Sequence, residues 1–350
     1  MVHRWGRGLA LILGFALAAA AHAGDEGVTS TEIRLGASQV LSGPLGPQTV
    51  QYGEGARLLF DAVNAAGGVH GRKISFTTLD DGFDPKRAVE NSRKLLDEHK
   101  VFMLFNSTGT AQTAAVLPML KETKTILFGP VTGASALRDT VNPHVFHVRA
   151  GYANESTRIL SQLKQIGVTR VAFFYQDDGL GKALLAEVRK SSAAENLPLA
   201  VEVKVDPAAP DFAAAAAATA QANPQAVIVG TAGLTFTNYV QAVQATATRP
   251  VFYGFSVASL DGINRVLKDK ARGIVLAQIM PSLRNNAVPV VTEYLKLLLN
   301  GGLLRKPIKD PFNIYKKVKS FHWVMMHSKY YLPRAIPQVV FVSIMKNKIL

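Results

Sequence analysis

The chain has no cysteine in 350 residues, which excludes both a disulfide framework and a lipoprotein anchor. Acids are scarce as well: 25 Asp or Glu against 39 Lys or Arg give a formal charge of +14. The surplus is uneven. From Leu303 to Leu350 ten Lys or Arg face Asp310 alone, so the body is only mildly basic and gives little support to a surface that tracks phosphates. Past the N-terminus no apolar run reaches the ~20 residues a membrane-spanning helix needs. Catalytic signatures are missing: there is no H-x-x-x-H spacing, no G-x-S-x-G elbow and no G-x-x-x-x-G-K loop. Asp80-Asp81 is a carboxylate pair, but adjacent residues at a strand end point to opposite faces and make a poor acid/base couple. A periplasmic hydrolase is the weaker expectation; no catalytic residue, metal or cofactor is expected, and no nucleic-acid partner.

What is present begins with a secretory pattern. His3, Arg4 and Arg7 form a basic start, Leu9 to Ala20 is apolar, and Ala21-His22-Ala23 fits the small-x-small cleavage site. Residues 1–23 therefore read as a signal peptide, with the remainder free in a periplasm-like space. The rest, with an apolar share of 48%, is long enough for two lobes.

The stretch Asp61 to Arg72, D-A-V-N-A-A-G-G-V-H-G-R, closes a helix and aims the chain into a strand. Ala56, Leu59, Phe60 and Val63 recur at i, i+3, i+4, i+7, the stripe by which a helix covers a sheet. Gly67 and Gly68 stop it, since a left-handed cap needs the positive φ that glycine takes at little cost. Strands are predicted over 33–40, 74–80, 101–105 and 125–128, and helices over 51–65, 85–98 and 110–121, with Asp84 as N-cap and Pro85 at the first helical position. After Phe146 the rhythm restarts, with strands over 168–175, 199–205, 226–229 and 251–255 and helices over 182–195, 211–223 and 236–247. Such alternation implies parallel sheets with helices on both faces, in two α/β halves joined near residue 148 with a cleft between them.

In open α/β sheets ligands collect at the carboxyl ends of the strands, where helix N-termini expose N–H groups. Three such loops in the first half are rich in glycine and hydroxyls: Leu41 to Gly46, Asn106 to Thr110, and Gly129 to Ala134. Hydroxyls with free backbone N–H groups suit a carboxylate without a paired lysine. The matching places in the second half are Tyr175 to Gly181, Gly230 to Ala232, and Tyr253 to Ser256, with Arg149 and Tyr152 at the crossover. Tyr152 or Phe255 could wall an apolar ligand, and Asp177 could receive an ammonium; each reads equally well as core or solvated surface.

Taken in order, Leu35-Gly36-Ala37-Ser38 with Leu41-Ser42-Gly43-Pro44, Asn64 to Val69 with Gly71-Arg72-Lys73-Ile74, Asp80-Asp81 with Asp84-Pro85, Gly109-Thr110, Gly129-Pro130, and Tyr175 to Gly179 form a specific signature from about Ile33 to about Lys296. On these residues the chain resembles the periplasmic solute-binding proteins of branched-chain amino acid (Leu/Ile/Val-binding) type, with the type I periplasmic binding protein fold. The resemblance implies two Rossmann-like lobes joined by three crossovers, 24–148 with 257–300 and 149–256. It implies a monomer that holds a small ligand in the cleft and delivers it to an ABC permease; a sensor-type receptor for aromatic or other organic acids shares the fold. The resemblance implies ligand contacts at Asn106, Ser107, Thr108, Pro130 and Thr132 from the first lobe and near Leu180, Thr231 and Phe255 from the second; Leu45, in its strand-end loop, and Tyr152, at the crossover, are further candidates from the residues themselves. One departure matters: relatives of this type place an acid for the ammonium in the loop after Val229, and Gly230 to Phe236 holds none, so Asp177 is the substitute and a simple carboxylic or aromatic acid becomes an open alternative. The other departure is the tail. From about Leu297 the alanine-rich composition gives way to Lys, Ile, Phe, Tyr and Met, and the resemblance stops. Residues 301–350 read as a frameshifted or foreign basic extension, against a divergent lobe edge or an arm for nucleic acid or anionic membrane built on Lys316-Lys317-Val318-Lys319 with Phe321, Trp323 and Tyr330.

Overall fold

The computed structural model describes residues 26–281 and 287–300; the expected signal peptide and the basic tail lie outside the described residues. Two five-stranded sheets, every pairing parallel, carry the two-lobed α/β architecture that the alternation predicts.

The first lobe runs β1 (Glu32–Gln39), α1 (Gly46–Ala65), β2 (Lys73–Asp80), α2 (Pro85–Asp97), β3 (Met103–Phe105), α3 (Thr110–Thr123), β4 (Leu127–Phe128) and β5 (Val145–Phe146). Its strand order is β2-β1-β3-β4-β5, with β1 and β2 in register from Glu32 opposite Lys73 to Gln39 opposite Asp80. α1 buries Tyr52, Ala56 and Phe60 against Ile33, Leu35, Met103, Phe105 and Phe128. It starts earlier than the apolar stripe suggests, because Pro47 fits the first turn and the Thr49 hydroxyl donates to the Val40 carbonyl. The stop is as expected: Gly67 and Gly68 take φ of 103° and 77°, and a Cβ on Gly68 would stand 2.2 Å from the Arg72 carbonyl oxygen. Asn64 then fastens the turn to β2, accepting from Ile74 N–H at 2.7 Å and donating to its carbonyl at 2.8 Å.

The chain crosses at 147–151 into α4 (Tyr152–Gln165), a helix not foreseen from the sequence, and continues through β6 (Val171–Gln176), α5 (Gly179–Ala194), β7 (Leu199–Val205), α6 (Phe212–Ala222), β8 (Ala226–Gly230), α7 (Gly233–Gln244), β9 (Val251–Gly254), α8 (Leu260–Leu267) and β10 (Val275–Leu276). The strand order is β10-β9-β8-β6-β7. α4 packs Ile159, Leu160 and Leu163 on Val171, Phe173 and Ile228, while α7 packs on the opposite face through Phe236, Tyr239 and Val240. The return to the first lobe, expected at 257, comes only after β10. Ile263 and Leu267 of α8 are buried in the second-lobe core, and β10 pairs with β9; the helix-strand pattern of 257–276 suits either lobe, and packing decides. α9 (Pro289–Asn300) then buries Val290, Val291, Tyr294 and Leu298 in the first-lobe core beside α1.

Candidate ligand-binding cleft

The loops after β3 and β4 are stitched together and end as one wall. Asn106 takes φ 59°, a left-handed turn that asparagine tolerates better than most residues, and its carbonyl accepts from the Gln39 amide. Thr108 and Val131 then form a parallel bridge, with Val131 N–H donating to Ser107 C=O at 2.8 Å and Gly109 N–H to Val131 C=O at 3.3 Å. The Thr110 and Thr132 hydroxyls share a hydrogen bond of 2.8 Å. The loop after β1 is held by Asp80, which accepts from Leu41 N–H at 2.8 Å and from the Ser42 hydroxyl at 2.6 Å; burial raises its pKa, but these donors prevail and hold the carboxyl below its ordinary value.

Between the lobes lies a narrow inner chamber, whose first-lobe walls include Leu45, Tyr52, Phe83, Thr108 and Val131 and whose second-lobe walls are Tyr152, Leu180, Ala232 and Val257. A side chamber opens beyond it toward Ser42, Gln176, Asp178 and Thr231, with Leu45, Phe83, Leu180 and Ala232 common to both. The Thr108 and Thr231 hydroxyls are buried without a hydrogen-bond partner in the protein. The lobes touch around this space. Gln48 donates to the Val257 carbonyl at 2.5 Å, and Gly179 and Gly233 leave room for Ala111 and for Pro44 with Leu45.

Of the residues expected at the site, Leu45, Thr108, Tyr152 and Leu180 line the inner chamber and Thr231 the side chamber. Asn106 and Ser107 are buried behind Thr108, with Asn106 Nδ2 and Oδ1 and Ser107 Oγ unpartnered. Pro130 lies one residue before Val131, and Thr132 orients Thr110. Phe255 lines neither chamber: it is fully buried and meets Tyr152 edge-on at 6.3 Å between centroids. Asp177 departs most from expectation. It is at the surface, paired with Lys182 at 3.0 Å and Lys204 at 3.2 Å, which hold its carboxyl below the usual range. Its neighbour faces the side chamber instead. Asp178 caps α5 by accepting from Gly181 N–H at 2.8 Å and also accepts from the Gln176 amide at 3.0 Å, and burial pushes its pKa up. Period-two alternation at the end of β6 would have separated the two acids, one to each side.

Gln48, Tyr52 and Val257 were missed. Gln48 and Tyr52, one turn apart on α1, share a hydrogen bond of 3.3 Å, and their spacing after Pro47 was the available signal. Also missed was Glu155, which forms a buried ion pair with Arg149 at 2.8 Å and accepts from Ser256 N–H at 2.7 Å. Burial pushes the Glu155 carboxyl up while Arg149 and both Ser256 donors oppose it.

Residues 32–293 match the family described as periplasmic binding protein. A substrate-binding periplasmic protein of Ralstonia solanacearum superposes with a TM-score of 0.75 at 27% identity, over 84% of this chain and 82% of that one. A possible leucine/isoleucine/valine-binding protein of Rhodopirellula baltica gives 0.72 at 25% identity, over 87% and 84%. The Leu/Ile/Val-binding protein homolog 3 of Brucella melitensis is 25% identical over 61% of this chain and 58% of its own length. The matches span between 27% and 58% of the length of the curated relatives.

Proposed function

The chain belongs to the periplasmic binding protein family, and from that premise we propose that it is the extracytoplasmic substrate-binding component of an ABC importer, taking a small carboxylate ligand between its lobes and presenting the closed form to a permease. The observation that carries this reading is the inner chamber, walled by both lobes, with Thr108 in its lining and the Thr108 hydroxyl buried without a protein partner. A ligand that bridges Thr108 and Thr110 to Leu180 and Ala232 shifts the population toward the closed arrangement. The secretory pattern of residues 1–23 supports a periplasmic location. Members of the family bind rather than transform their ligands, and we extend that to this chain.

The experiment is thermal unfolding against branched-chain amino acids, aromatic acids and short carboxylates. A ligand that binds only the native state stabilises it by ~2.7 kcal/mol at a hundredfold excess over Kd. A midpoint raised by one chemical class is the expected result. A midpoint indifferent to every carboxylate, or turnover of any of them, would overturn the reading.

A further inference from the structure

Among the described residues Asp178 is the one acid that lines either chamber, and it and the acids near it already have partners. Asp80 serves Leu41 and Ser42, Asp81 takes the Ser38 hydroxyl at 2.6 Å and Phe83 N–H at 2.9 Å, Asp177 is paired with two lysines, and Asp178 caps α5. Glu155 is bonded to Arg149 and Ser256. Among the described residues no Asp or Glu lines the inner chamber, and Asp261 borders only the outer mouth near Gln48 and Gln51.

The charge behind the chamber is positive. Arg149 has a side-chain exposure of 1% and sits 4.8 Å from the Tyr152 ring centroid, so the guanidinium backs one aromatic wall. Its Nη2 donates to Glu155 and to Ser256, while Nε and Nη1 are buried without partners. Nη1 lies against Gly133, where a Cβ would come within 2.6 Å of it. Arg138 adds a second cation beside it, donating to the Thr132 and Arg149 carbonyls at 2.9 Å each. One buried guanidinium, Arg149, and one half-buried, Arg138, stand near the single buried carboxylate of Glu155. Tyr52, on another wall, also stands in the field of Arg149: burial pushes its hydroxyl pKa up while Arg149 pulls the other way. With little water between, such a field is weakly screened. It attracts a carboxylate and repels an ammonium. Leu45, Phe83, Val131, Leu180 and Val257 supply apolar wall, beside the neutral polar groups of Gln48, Thr49, Thr108 and Thr110.

We propose that the cleft selects an organic acid without an ammonium group, a carboxylate on a small apolar body, and that Arg149, behind Tyr52 and Tyr152, is the specificity-determining charge. This rests on the reading of the cleft as a carboxylate site. The amino group of an amino acid would enter a chamber with no carboxylate to receive it, close to an unpaired guanidinium edge.

The test is calorimetric titration of the purified chain with matched pairs differing only by the α-ammonium: 4-methylpentanoate against leucine, and 3-phenylpropanoate against phenylalanine. The acid is expected to bind at least tenfold tighter in one pair or both. Equal or tighter binding of the amino acids overturns the proposal and leaves the carboxylate site standing. Failure of both members of both pairs, and of a wider acid panel, overturns the carboxylate site itself and the proposal with it. The double variant Arg149→Gln with Glu155→Gln removes both charges together, so neither is left alone in the interior. It is expected to narrow the acid-to-amino-acid ratio at least tenfold; a folded variant with an unchanged ratio overturns the role of Arg149. Should that variant not fold, the wild-type pairs still decide the ligand class.

Discussion

Gly179 stands against Ala111 so closely that a Cβ at 179 would lie 2.8 Å from the Ala111 Cβ. One residue opens α5 of the second lobe and the other lies in the first turn of α3 of the first, so this contact exists only when the lobes are together. Local helix propensity favours alanine over glycine at 179. The glycine is therefore read as a requirement of closure.

Gly179→Ala is expected to leave the lobes folded and to penalise only their approach. Overpacking of this kind costs ~1–3 kcal/mol, which on the closed form alone weakens ligand binding roughly five- to 150-fold. The absence of native cysteine makes a direct check available. Spin labels at Lys121→Cys and Lys190→Cys, one on each lobe, should report a longer interlobe distance in the ligand-saturated variant than in the labelled parent. The same distance and the same Kd in both would show that the contact does not limit closure.

Thr108→Val separates binding from stability. The Thr108 hydroxyl has no partner in the protein, so replacing it by a methyl group of similar shape should leave the unfolding midpoint unchanged or slightly raised. A hydrogen bond to a charged ligand is worth ~1.5–3 kcal/mol, so affinity should fall at least tenfold. Ser107→Ala with Thr132→Ala, two of the first-lobe contacts that the resemblance implies, removes hydroxyls that line neither chamber and should weaken binding less. A titration in which the two variants rank the other way would move the carboxylate contact off Thr108.

The two-lobed fold was legible because alternating apolar strands and capped helices are local signals, and because glycine pairs such as Gly67-Gly68 mark turns that few other residues can make. The hydroxyl-rich wall proposed to take the carboxylate was legible as a pattern for the same reason, as its hydroxyls sit in consecutive strand-end loops. What stayed hidden depends on contacts distant in sequence. Val257 joins the site through Gln48, 209 positions away, and Ser256 joins the crossover through Glu155, 101 positions away. Phe255 and Asp177 were misplaced because burial and pairing with Lys204 follow from the second sheet's packing, which no local pattern states. The lobe boundary at 257 failed likewise: α8 reads as a helix from its sequence, but which core takes Ile263 and Leu267 is settled by the facing residues.

Asp177→Ala tests that correction. The carboxylate is spent on Lys182 and Lys204 at the surface, and exposed pairs contribute little. Neither affinity nor ligand preference should change. A selective loss of affinity for amino acids, with simple acids unaffected, would return Asp177 to the role of ammonium acceptor.

His147 gives the fold a dependence on pH. Its Nε2 lies 2.9 Å from the Leu137 carbonyl, and burial together with the nearby Arg138 pushes its pKa down to about 4 from an ordinary 6.5. Between those two values the unfolded chain holds a proton that the folded chain does not, so stability is full above pH ~6.5 and falls as the pH drops toward 4. At ~1.4 kcal/mol per unit over the difference between 6.5 and about 4, the loss is on the order of 3 kcal/mol by pH 4. Asp81, Glu155 and Asp178, whose carboxyls burial pushes up, act in the opposite sense and blunt the fall in the intact protein. They are shared with His147→Gln, so comparing the two chains isolates the histidine. Urea midpoints at pH 7, 5.5 and 4.5 should show the parent losing its advantage over the variant step by step. A difference that stays constant across the three values would mean that His147 titrates alike in the folded and unfolded chains, and that its burial carries no charge penalty.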